Sequence, residues 1–115
     1  LPRMKLDPEQ LRRVLVNLID NALEAMDHSK FKQLSISSQF SSAREMVQLV
    51  VRDTGQGIPV GDRDKLFLPY FSTRKRGTGL GLAIASQIVA DHKGYIHVEE
   101  SFPRGASFVI ELPSA

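Results

Sequence analysis

Asn17 and Asn21 stand four residues apart in an apolar-periodic segment, so on a helix they share a face beside its apolar stripe. Asn is a poor residue inside a helix, because its amide competes with the backbone for hydrogen bonds. Its amide oxygen is also a hard donor suited to Mg2+. The pair reads either as metal-supporting amides or as amides solvated or bonded to backbone. Asp53-Thr54-Gly55-Gln56-Gly57-Ile58-Pro59 ends an alternating run. Its glycines permit positive φ and close backbone approach to a ligand. Its carboxylate can accept from an exocyclic amine such as that of adenine; an Asp-initiated turn is the plain alternative. Gly77-Thr78-Gly79-Leu80-Gly81-Leu82 opens a helical pattern, where backbone N–H groups and the helix dipole make a phosphate cradle. The spacing G-x-G-x-G is not the dinucleotide fingerprint, and no Gly-Lys-Ser/Thr follows to make a P-loop. A flexible hinge is the alternative here. Between the glycine segments lie Leu66–Thr73 and the cations Arg74-Lys75-Arg76. Those cations can meet a terminal phosphate or form a solvated loop. Phe67 and Phe71 anchor a lid or fill core.

Several elements must position these residues. Asp7-Pro8-Glu9-Gln10 starts a helix: Asp7 caps, Pro8 suits the first helical position, and Gln10 stands where a capping-box partner would. Leu11, Val14, Leu15, Leu18, Ala22, Ala25 and Met26 follow at core-facing helical spacing, to about Asp27 or His28. Residues 33–40 alternate as a strand through Leu34, Ile36, Ser38 and Phe40, and Ser41–Glu45 turns. Val47, Leu49 and Val51 form the next strand, ending at Asp53 and making a hairpin with one buried face. Residues 54–77 hold six Gly or Pro and predict a long functional loop with one short helix near 60–66. Helical spacing resumes at Gly79 through Leu80, Ala83, Ile84, Ile88 and Val89, with Gly94 as the residue just past its end. Strands around Ile96–Val98 and Phe108–Leu112 flank a turn at 103–105. The order implies an α+β, two-layer sandwich with a mixed, mostly antiparallel sheet and helices on one face.

Composition narrows the chemistry. At 115 residues, 42% hydrophobic and 24% charged, the chain has the size and balance of one globular domain. A net charge of +2 does not by itself argue for nucleic acid. There is no Cys, which removes disulfides, thiolate nucleophiles and Cys-based metal sites, and fits a reducing compartment. No apolar run approaches the roughly 20 residues that span a bilayer. The histidines His28, His92 and His97 lack metal-ligand spacing and read as surface or strand residues.

Taken together, order and spacing are specific. Asn17-Leu18-Ile19-Asp20-Asn21-Ala22 resembles the N box of the GHKL ATP-binding superfamily, and Asp53–Gly57 its first glycine box. Phe67–Phe71 resembles the F box, and Gly77–Leu82 the second glycine box. Within the superfamily, nearly the whole chain resembles the catalytic ATP-binding domain of bacterial sensor histidine kinases, with the Bergerat fold. Its short lid is similar to that of the nitrogen-regulator type. The resemblance implies that Asn21 coordinates Mg2+ on the ATP phosphates and that Asn17 supports that site. It implies that Asp53 binds the adenine amine, with Gly55, Gly57 and Ile58 along the base. Phe71, Thr73, Gly77, Thr78, Gly79, Leu80, Gly81 and Leu82 would hold the nucleotide, and Arg74 and Lys75 would stand near the γ-phosphate.

The departures carry information too. Hydrolytic branches of the superfamily place a general-base Glu where Asn17 stands, and an amide cannot take that proton. The resemblance thus favours phosphoryl transfer to a side chain. Glu24 and Ala25 replace the usual cation and Tyr after the second Asn, and Lys93-Gly94 replaces a Gly pair. The implied reading is a single domain, residues 1–115, cut from a longer cytoplasmic or membrane-anchored parent and monomeric by itself. It would take ATP and Mg2+, donate the γ-phosphoryl group to a His on the parent's dimerisation domain, and act upstream of a response regulator. The sheet's usual first strand would lie upstream or survive as Arg3–Leu6. The alternatives are an anti-sigma-factor-type serine kinase and a non-catalytic nucleotide-sensing module.

Overall fold

A computed structural model describes residues 5–69, 80–101 and 104–114. Helix α1 spans Pro8–Ala25 and helix α2 spans Gly81–Asp91. Strands β1 (Leu34–Ser41), β2 (Met46–Asp53), β3 (Tyr95–Glu100) and β4 (Ala106–Pro113) form one sheet in the order β1-β2-β4-β3. All three described pairings are antiparallel. Of the segment Arg3–Leu6, residues 3–4 lie outside the described residues, and Lys5 and Leu6 belong to no strand. No described helix is long and apolar enough to cross a membrane.

The core lies between the helices and one face of the sheet. Phe108, Ile110 and Leu112 of β4 and Val51 of β2 meet Val14 and Leu18 of α1 and Ala85, Ile88 and Val89 of α2. Alternation explains this selection, since residues two apart in a strand share a face. Phe67 joins the same core, its ring edge-on to Phe108 at 6.3 Å between centroids. The F-box aromatic therefore fills core, while Phe71 lies outside the described residues.

The hairpin departs from the expected single buried face. Leu34 packs against the core, but Ile36 is 52% exposed and Phe40 39% exposed. The cause is topological: β1 is an edge strand, and α1 lies over its neighbour β2. The short helix expected near 60–66 is a 3₁₀ turn at Val60–Asp62 followed by further turns. Helix α2 begins at Gly81, with Leu80 at the N-cap position, rather than at Gly79.

The start of α1 and the end of α2 are closed by identifiable contacts. The Asp7 carboxylate accepts from the Glu9 and Gln10 N–H groups at 3.0 and 3.2 Å. His92 sits at the end of α2 rather than on a strand or loose surface. Its Nδ1 donates to the Ile88 carbonyl at 2.8 Å, and its Nε2 accepts from the Asp7 N–H at 3.1 Å. One tautomer satisfies both bonds and ties the start of α1 to the end of α2.

Helix α2 ends in a Schellman motif, with the Gly94 N–H bonded to the Val89 carbonyl and the Lys93 N–H to the Ala90 carbonyl, both at 2.9 Å. The left-handed residue is Lys93 at φ 62°, not Gly94. Gly94 is required for space: a Cβ there would lie 2.4 Å from the Glu111 carbonyl oxygen. A left-handed Lys costs about 1–3 kcal/mol, partly offset because Lys leaves the unfolded chain less freedom than Gly. Lys93→Gly is expected to stabilise the chain by about 0.5–1 kcal/mol, read as a higher urea midpoint at unchanged slope.

Candidate functional site

The site is built on one row of α1. Asn17, Asn21 and Ala25 follow at intervals of four, so they stack along one side of the helix at about 6 Å per step. Asn17 is half-buried and its Nδ2 donates to the Gly81 carbonyl at 3.1 Å. That bond fixes the first turn of α2 against the middle of α1. At the other end of the row, the Gln56 N–H donates to the Ala25 carbonyl at 3.1 Å. Gly55 lies so close that a Cβ would come within 2.4 Å of the Ala25 carbonyl oxygen. The two glycine segments thus dock on the same helix face, with half-buried Asn21 between the two contacts. The glycine loop closes directly on the small Ala25.

Asp53 ends β2 and is 1% exposed. Its Oδ1 accepts from the Gly55 N–H at 2.9 Å and the Ala106 N–H at 3.3 Å. A buried carboxylate needs such donors, because an unsolvated charge is costly. The contact also requires Gly105, at φ 109°, where a Cβ would fall 2.0 Å from the Asp53 carbonyl oxygen. Gly57 takes φ 75° and lets the chain turn back beside Gly105. Ile58 packs against the core beneath the turn.

Two braces of this loop carried no sequence signal. Thr54 Oγ1 donates to the Phe31 carbonyl at 3.2 Å and accepts from the Gln33 N–H at 3.0 Å, pinning the loop to the segment before β1. Arg104 Nε donates to the Gly55 carbonyl at 2.8 Å from the β3–β4 turn. Below that turn, Arg52 donates through Nε to Ser101 Oγ, and the Ser101 N–H donates to the Gly105 carbonyl at 3.1 Å. Thr54 was visible only as a motif letter, and Arg104 only as a turn residue before Gly105.

Of the sequence-predicted residues, Asn17, Asn21, Asp53, Gly55, Gly57, Ile58, Leu80, Gly81 and Leu82 lie within the described structure. Leu82 packs partly against the core, and the Leu80 side chain cannot cap α2. Phe71, Thr73, Arg74, Lys75, Gly77, Thr78 and Gly79 lie outside the described residues. Among the described residues no three His, Cys, Asp or Glu side chains cluster as a metal site.

Gly105→Ala is expected to destabilise the chain by roughly 2–4 kcal/mol in urea unfolding, through the collision with Asp53. Arg104→Ala removes one bond and leaves the sheet intact. It is expected to raise amide exchange at Gly55–Gly57 about tenfold while β2 and β4 stay protected.

This arrangement has known counterparts. Residues 6–115 match the family described as Histidine kinase-, DNA gyrase B-, and HSP90-like ATPase. The sensor histidine kinase ZraS of Escherichia coli K12 is 39% identical over 113 residues, which make up 98% of this chain and 23% of ZraS. Sporulation kinase A of Bacillus subtilis is 36% identical over 107 residues, 93% of this chain and 17% of that protein. The chain therefore spans a quarter or less of these sensor kinases. Among solved structures, the catalytic domain of histidine kinase ThkA superposes with a TM-score of 0.84 at 34% identity, covering 96% of this chain and 70% of that one. Full-length ShkA in complex with AMPPNP gives a TM-score of 0.85 at 30% identity, covering 100% of this chain and 24% of that one. With the helix row, the Asp53–Gly57 loop and the sheet order in place, the chain belongs to the histidine kinase-, DNA gyrase B- and HSP90-like ATPase family, on its histidine kinase side.

Proposed function

We propose that this chain is the catalytic, ATP-binding domain of a sensor histidine kinase. In this reading it donates the γ-phosphoryl group of ATP to a His on the parent's helical dimerisation domain, from which a response regulator is phosphorylated. The observation that carries the reading is the row on α1. It docks the second glycine segment at Asn17 and the first at Ala25, and holds Asn21 between them with Asp53 at the root of the loop.

Each residue has a defined task. Asp53 accepts the exocyclic amine of adenine, and Gly55, Gly57 and Ile58 line the base. A GTP base presents a carbonyl at that position and meets the carboxylate lone pairs, so ATP is selected. The backbone around Leu80 and Leu82, with Gly77, Thr78, Gly79 and Gly81, cradles the phosphates at the start of α2. Arg74 and Lys75 offset charge at the terminal phosphate, and Phe71 and Thr73 complete the lid. The run from Phe67 to Arg74, followed so soon by Gly77, supports the nitrogen-regulator-like subtype.

The donor set fits Mg2+. Asn21 offers one hard amide oxygen, and Mg2+ commonly takes few protein ligands and completes its shell with phosphate oxygens and water. Bound there, the ion would offset phosphate charge. Catalysis in this chain is otherwise positioning and electrostatics, as in phosphoryl transfer generally. Asn17 has no proton-accepting function on water, which supports transfer over hydrolysis. A cytoplasmic position follows for a domain that draws on ATP.

The test separates binding from folding. Asp53→Ala would strip an acceptor from the Gly55 and Ala106 N–H groups, so its effect would be mixed. Asp53→Asn keeps one oxygen for those donors and replaces the other with an amide donor. It is expected to fold with the same urea slope and to lose at least about tenfold in ATP affinity by calorimetry with Mg2+. The parent chain is expected to bind ATP and not GTP. Equal binding of both nucleotides, or an unchanged Asp53→Asn, would overturn the adenine assignment.

A further inference from the structure

A concavity lies between Thr54 of the Asp53–Gly57 loop, the segment after α1 and Arg104 of the β3–β4 turn. It has a volume of about 480 Å³ and is lined by His28, Ser29, Lys30, Phe31, Thr54 and Arg104. That is within the size range of ordinary ligand sites. Phe31 is 66% exposed. Its backbone is held, because its carbonyl accepts from Thr54 Oγ1 and the next residue but one, Gln33, donates to the same hydroxyl. The segment is thus fixed while the ring remains outside the core. The exposed ring forms one wall of the concavity.

The charge of this site has one sign. None of the six lining residues is acidic. Asp27 faces His28 at 4.0 Å between largely exposed side chains, and that weak pairing leaves Lys30 and Arg104 as cations. Arg104 is oriented by its Nε bond to the Gly55 carbonyl. A neutral carbonyl fixes the guanidinium without cancelling its charge, so its terminal N–H groups remain suited to a carboxylate. Lys32 adds a further positive charge beside Phe31.

We infer that this pocket binds an acidic peptide segment carrying one apolar or aromatic side chain, which packs on Phe31 between carboxylates paired with Lys30 and Arg104. Its lining includes none of Asn17, Asn21, Asp53, Gly55 or Gly57, the residues assigned to the nucleotide. Thr54 and Arg104 are shared by the pocket and the loop braces, so the peptide would sit against the adenine loop.

The chain contains no Trp, so a Trp-bearing peptide reports its own binding. Acetyl-Glu-Asp-Trp-Glu-Asp-amide is titrated with the whole chain at low salt and read by Trp fluorescence and anisotropy. A saturable change is expected, weakened at least about tenfold by Phe31→Ala, by Lys30→Glu and by the Gln/Asn version of the peptide. Phe31→Ala trims an exposed ring and leaves its carbonyl for Thr54, so both variants should fold and retain the ATP affinity of the parent chain. Binding should persist in saturating Mg-ATP. No saturable change, equal binding of the neutral peptide, unaltered binding by Phe31→Ala, or displacement by Mg-ATP would each overturn the inference. The nucleotide titration is read independently, so failure of the ATP assignment would be seen apart from failure here.

Discussion

The buried carboxylate of Asp53 is the constraint on which the rest of the site depends. A charge at 1% exposure survives only where donors replace water, and here the Gly55 and Ala106 N–H groups do so. Those bonds join the end of β2, the glycine loop and the start of β4 at one atom. They demand a neighbour without a side chain, which is Gly105, and a loop that can lie flat on Ala25, which is Gly55. The side chain proposed to read the base is therefore also the bolt that shapes the loop around it. Function and fold share that carboxylate, and a substitution there must be chosen so that one can be measured apart from the other.

The same economy appears on α1. Asn17 was open to two readings, a metal-supporting amide or an amide bonded to backbone. Its Nδ2 is bonded to the Gly81 carbonyl. Its amide oxygen retains acceptor chemistry, so the structural bond and the role implied by the resemblance use different atoms. Helix packing and the proposed nucleotide site are thus coupled through one residue, since any shift of α2 along α1 would move the proposed phosphate cradle with it.

Much of this was legible in the chain. The Asp7 cap, the stripe of α1, the alternation of β2 and β4 and the spacing of the glycine segments all follow from local rules with periods of 3.6 and 2. Local rules failed where the answer depended on neighbours distant in sequence. Ile36 and Phe40 alternate as though buried, but only the strand order shows that β1 is an edge. Gly94 reads as the residue just past the end of α2, whereas Lys93 takes that place in the left-handed conformation and Gly94 yields space to Glu111. Arg104 gave no signal, because its partner Gly55 lies 49 residues away.

That separation has a consequence for how the molecule comes to exist. The loop's braces at Ala106 and Arg104 come from residues 53 and 49 positions downstream of their partners. Contacts of that span cannot form until the intervening chain has been made and the ends of β2 and β4 have met. During synthesis, α1 and the β1–β2 hairpin can assemble early, while Asp53 remains in water with its carboxylate solvated. The pocket closes only when β4 arrives and exchanges that water for backbone N–H groups. The site proposed to bind nucleotide is therefore among the last parts of the chain to mature, and a nascent chain stopped before Ala106 would carry Asp53 and its glycines without the pocket they make.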